Sequence, residues 1–113
     1  MRLEPKEIEQ VCAVIESFMG ETRAELRLYG SRVDDTLKGG DIDLVIVFST
    51  ELERRAFSVA PHVIVAALKQ KLGERKIDLS LISKEDELKP FWALALQNSI
   101  VLCSYPHASH SRS

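Results

Sequence analysis

The sequence has no apolar run approaching the length of a membrane span, so no membrane association is expected. Its first ten residues, Met1 to Gln10, are of mixed charge and lack the apolar stretch of a signal peptide, which points to a cytoplasmic protein. Neither charge sign dominates. Fifteen Lys and Arg against 17 Asp and Glu give a formal net charge of −2, which supplies no basic face for direct nucleic-acid binding. Cysteine is scarce. Cys12 and Cys103 both lie in apolar surroundings and are expected to be buried thiols in a reducing cytosol, with a disulfide between them as the less favoured alternative. The Gly-x-x-x-x-Gly-Lys-Ser/Thr pattern is missing, which excludes a P-loop. Internal repeats and linkers are also missing.

What is present describes one compact domain. A chain of 113 residues is enough for one domain and too short for two. With 45% hydrophobic and 28% charged residues it has the composition of a folded globular protein. A large substrate platform would have to come from a partner or from a second copy of the chain in a homodimer. Pro5 to Met19 carries Ile8, Val11, Cys12, Ile15, Phe18 and Met19 at helical spacing, with proline in the first turn and Gly20 just past the end. Glu25 to Tyr29 alternates as a short strand, and Ser31 to Gly40 is a polar loop. Ile42 to Phe48 is apolar on both faces except for Asp43, the pattern of a central strand covered by helices. Thr50 and Glu53 fit a capping box opening a helical region to Leu72, in which Pro61 either makes a kink or starts a second helix. Lys76 to Ile82 is a third strand. Ser83 with Asp86 caps a last helical region through Gln97, interrupted by Pro90. Ser99 to Ser104 is a fourth strand. The expectation is an α/β (α+β) domain over 1–104, a mixed sheet of about four strands with helices packed against it, and a disordered tail over 105–113.

The chemistry-bearing residues are acidic. Asp41 and Asp43 are two apart at the head of a strand, so both point to one face, with Cα atoms roughly 6.6 Å apart. Asp78 lies between Ile77 and Leu79 in the next strand, and if those strands pair, three carboxylates converge. Such a cluster repels itself unless a carboxyl is protonated or a cation is bound. Oxygen-only donors with room for phosphate oxygens suit Mg²⁺ or Mn²⁺ and not zinc. Three acids can also bridge two ions about 3.5–4 Å apart, the clamp used in phosphoryl chemistry. A lone Asp-x-Asp at a strand edge is ordinarily a solvated turn. Charged residues inside two otherwise apolar strands are costly without compensation, which favours the functional reading. Gly30-Ser31 directly follows the first strand. Glycine there lets an anion approach the backbone, although Gly-Ser alone is usually a plain turn. Arg32 is the nearby cation best placed by sequence to meet a phosphate. Lys38, Arg75 and Lys76 read as surface charges, with Arg75 leading into the Asp78 strand. His62, His107 and His110 read as solvated. Phe91 and Trp92 share helical spacing with Leu94 and Ala95 and read as core or interface.

Taken together, Tyr29-Gly30-Ser31-Arg32, nine residues from Arg32 to Gly40, then Asp41-Ile42-Asp43-Leu44 and later Ile77-Asp78-Leu79 resemble the DNA polymerase beta-like nucleotidyltransferase superfamily. The likeness covers Glu25 to Ile82 and is closest to the minimal nucleotidyltransferases, the MntA-type antitoxins of HEPN/MNT pairs. The resemblance implies a nucleotidyltransferase-like fold. It implies that Gly30, Ser31 and Arg32 bind the nucleotide, and that Asp41, Asp43 and Asp78 hold Mg²⁺ or Mn²⁺ and are catalytic. It implies transfer of AMP from ATP to a hydroxyl, with a HEPN-domain protein as partner and acceptor. The chain departs from many relatives in having Gly40 before the first acid and Val33-Asp34-Asp35 after Arg32. Neither change removes a carboxylate. The competing reading is a catalytically silent nucleotide- or partner-binding module serving as antitoxin or scaffold. Transfer to a small molecule is a third, for which the chain is short unless it dimerises.

Overall fold

The computed structural model describes residues 3–29 and 42–106. Helix α1 spans Pro5–Met19, as its apolar spacing predicts, and buries Val11, Ile15 and Met19. Gly20 ends it at a positive φ of 60°, a region that favours glycine. Strand β1 is Ala24–Tyr29 and β2 is Ile42–Phe48. Thr50 Oγ1 accepts from the Glu53 amide at 3.1 Å and opens α2, Glu51–Ala56. The return arm of the expected capping box is not made by Glu53 Oε1, which is buried without a hydrogen-bond partner. Pro61 does not kink this helix. It starts a separate one, α3, Pro61–Leu72, because its fixed φ suits a first turn and its missing N–H costs nothing there.

Strand β3, Ile77–Ser83, leads into a 3₁₀ turn, Lys84–Leu88. Ser83 and Asp86 close that turn reciprocally, with the Ser83 amide donating to Asp86 Oδ2 at 2.9 Å. The helical region expected through Gln97 is thus two pieces, since Pro90 cannot continue a helix and begins α4, Pro90–Ala95. Strand β4, Ile100–Tyr105, runs one residue beyond the expected boundary and takes in the buried Tyr105. The reading of residues 107–113 as a tail lies outside the described residues.

The sheet order is β3-β2-β1-β4. β1 is antiparallel to both β2 and β4, and β2 is parallel to β3 across the α2–α3 crossover, so the sheet is mixed. Strand alternation sorts the side chains into two faces. Ala24, Leu26, Leu28, Ile42, Leu44, Ile46, Phe48 and Ile77 join α1 and α3 in the main core. On the opposite face Val45, Val47 and Ile82 form a smaller cluster with Tyr29, Trp92 and Leu96. Arg27 secures that cover, donating from Nε to Glu25 at 2.8 Å and from Nη1 to Ser99 at 2.9 Å, so the segment after α4 is tied to β1.

The expectation of two separate thiols is corrected. Cys12 of α1 and Cys103 of β4 form a disulfide, with Cα atoms 6.3 Å apart. A bulge in β4 between the partners of Leu26 and Arg27 accompanies this arrangement. Tyr105 adds a second tie between the same elements, its hydroxyl donating to the Cys12 carbonyl at 2.9 Å.

Candidate active site

β2 and β3 start together. Ile42 pairs with Ile77, Asp43 with Asp78 and Leu44 with Leu79 in parallel register. Ile42 and Ile77 are both buried in the helix-covered core. Alternation therefore sends Asp43 and Asp78 to the other face as lateral neighbours, on strands separated by roughly 4.8 Å. Asp43 is half-buried and Asp78 exposed. β1 arrives at the same end from the other side, with Tyr29 opposite Asp43. Asp43 is thus the central member of a row running Tyr29, Asp43, Asp78 across three strands.

The electrostatics of that row are visible at Tyr29. Its hydroxyl pKa is raised, first by burial, then by the negative charges of Asp43 and Asp78, while a hydrogen bond with Ser80 pulls the other way. Ser80 is two residues along β3 from Asp78 and so shares its face. The Tyr29 ring is held edge-on by Trp92, at 5.3 Å between centroids and 65° between planes. Trp92 in turn meets Phe91 at 4.9 Å. One wall of the carboxylate row is therefore aromatic and fixed from α4.

Among the sequence-predicted residues, Asp43 and Asp78 are brought side by side. Gly30, Ser31, Arg32 and Asp41 lie outside the described residues, as do Lys38, His107 and His110. Among the described residues no group of three metal-ligating side chains occurs. Arg75 does not face the carboxylates. Its Nη2 pairs with Glu7 of α1 at 2.9 Å. His62 is exposed at the start of α3. Tyr29 and Ser80 were within reach of sequence reasoning, the first by adjoining Gly30, the second by the period of two from Asp78. Trp92 carried no such signal, because its place depends on how α4 folds back.

The family model of the nucleotidyltransferase domain matches residues 8–103. The chain belongs to this family. None of the curated proteins compared with it matches. The matched span runs from α1 into β4, so the whole sheet is part of the nucleotidyltransferase domain, with nucleotidyl transfer as its general activity. Two adjacent carboxylates whose field already reaches a neighbouring phenol form a hard, oxygen-only donor pair. That chemistry fits Mg²⁺ or Mn²⁺, which prefer carboxylate and phosphate oxygens. Among the described residues, no helix of this nucleotidyltransferase domain is long and apolar enough to cross a membrane.

Proposed function

We propose that this nucleotidyltransferase domain transfers AMP from ATP to a hydroxyl acceptor, with Asp41, Asp43 and Asp78 holding Mg²⁺ and Gly30, Ser31 and Arg32 holding the nucleotide phosphates. The reading is supported above all by the register of β2 and β3, which makes Asp43 and Asp78 lateral neighbours on the face opposite the main core. A bound divalent ion would neutralise charge on the phosphates and the leaving pyrophosphate. The carboxylates would orient that charge, and Asp78, the more exposed of the described pair, would take the proton of the acceptor hydroxyl. Tyr29 and Trp92 form a stiff aromatic wall that limits how the nucleotide sits. The acceptor we favour is a HEPN-domain protein, with the chain as its antitoxin in the cytoplasm.

The direct test is incubation with labelled ATP, Mg²⁺ and a HEPN-domain protein as the presumed partner. Label should pass to the partner with the native protein and fall by at least about 100-fold with Asp43→Asn or Asp78→Asn, of the order seen when a charge-stabilising group is lost. Undiminished transfer by both variants would refute the site. A binding-module reading is favoured by one observation, the outward apolar stripe of Leu88, Phe91 and Leu94. It would be supported by partner neutralisation that survives both aspartate changes with no label transferred.

A further inference from the structure

The end of the sheet away from the aspartates carries a cavity of about 310 Å³, lined among others by Arg23, Glu25, Val47, Ser49, Lys84 and Ser104. It sits at the lower end of the roughly 300–1,000 Å³ typical of small-molecule sites. Val47 is four residues past Asp43 on β2, and so on the same face and roughly 13 Å away. The two places are separated by the Val45, Val47 and Ile82 cluster under Trp92.

Its charge is unbalanced. Glu25, the carboxylate that lines it, is bound by Arg27 at 2.8 Å. Arg23 and Lys84 make no ion pair among the described residues. Two cations from separate segments therefore flank one hollow, with the Ser104 hydroxyl as a further donor, while the Ser49 hydroxyl already donates to the Arg23 carbonyl at 3.3 Å. The backbone under Arg23 is held in place, its carbonyl accepting from the Ser49 amide at 3.0 Å. Two exposed cations and a hydroxyl lining a small cavity match an oxyanion with several acceptor oxygens.

We infer that this cavity is a second anion site, separate from the Asp43–Asp78 row, which takes a phosphoryl group as free phosphate or as a phosphate monoester. Arg23 presents its planar fork, Lys84 a mobile point charge, and Ser104 adds a hydroxyl donor. The apolar floor at Val47 leaves room for a small organic substituent on the phosphate.

The test is a titration followed by amide ¹H–¹⁵N shifts at constant ionic strength, using inorganic phosphate, AMP, adenosine and sodium chloride as four arms. Phosphate should give saturable shifts at Ser49, Lys84 and Ser104, in the native protein and equally in Asp43→Asn. Tighter binding of AMP than of phosphate would identify a monoester as the ligand, and equal binding the free ion, while adenosine should move nothing. Arg23→Gln with Lys84→Gln should weaken binding at least about tenfold, a loss of roughly 1.4 kcal/mol, with the rest of the spectrum overlaying. Ser104→Ala, on an exposed strand position, gives a second variant with the same expected direction. Shifts that do not saturate, that chloride reproduces, that persist in both variants, or that adenosine matches would overturn the assignment.

Discussion

Tyr29 shows how a single side chain reports on its neighbours. Burial and two nearby carboxylates all favour its neutral form, so its pKa is raised above the usual 10.0. Tyr105 is raised as well, chiefly by burial. These are the only tyrosines in the chain. A raised folded pKa means that the folded state holds its proton longer than the unfolded chain does. Stability from this source is intact below pH 10 and is lost as pH climbs from there towards the folded values. Absorbance at 295 nm should therefore show no tyrosine ionising near pH 10 while circular dichroism remains native. Asp43→Asn or Asp78→Asn should bring the Tyr29 ionisation to lower pH. An unmoved titration in both would mean that the carboxylates do not face the phenol. Glu51 behaves oppositely. Bonds from Arg54 are the main cause holding its pKa down at about 2. Its contribution is present above pH 4.5 and is lost as pH falls towards 2. Melting curves of Glu51→Gln should accordingly differ from those of the native protein at pH 6 and converge with them near pH 2.

At the scale of elements, the carboxylate row depends on β2 and β3 keeping their register, and α3 is the clamp that covers both. Ile64 and Leu68 are its fully buried residues, seated in the main core with α1. Leu68→Ala should lower the unfolding free energy by about 2–5 kcal/mol in a denaturant titration, the range for emptying a buried leucine site. Leu52 on α2 is 76% exposed, so Leu52→Ala should cost no more than about 0.5 kcal/mol. Similar losses from both substitutions would contradict the packing described. Thr50 tests the α2 cap. Its hydroxyl accepts from the Glu53 amide, and Thr50→Ala should cost about 1 kcal/mol.

Across the whole molecule, the disulfide between Cys12 and Cys103 joins the first helix to the last strand over a sequence separation of 91. Closing so long a loop restricts the unfolded chain by about 4–5 kcal/mol in the loop-entropy account. Purified oxidised protein should have no titratable thiol until it is reduced, and reduction should lower its melting temperature. Two titratable thiols before any reductant is added would show that the pair does not form under those conditions. Either way the site at the other end of the sheet should keep its shape, because the tie lies between α1 and β4 and the carboxylates lie on β2 and β3.

Local pattern was enough for α1, whose apolar spacing, with Pro5 in its first turn and Gly20 just past its end, marked both ends, and for β2, whose apolar run broken only by Asp43 marked a central strand. It was also enough to single out Asp43 and Asp78, because a carboxylate inside an apolar strand is costly wherever the strand lies. These are properties of a residue and its near neighbours in the chain. What the sequence left open involved partners distant along it: whether β3 pairs beside β2 in register, whether Cys12 meets Cys103, and where Trp92 and Arg75 point. Each was decided by the packing of the two faces, where burial of the main core under α1 and α3 set the sheet order and left the opposite face to the aspartates and α4.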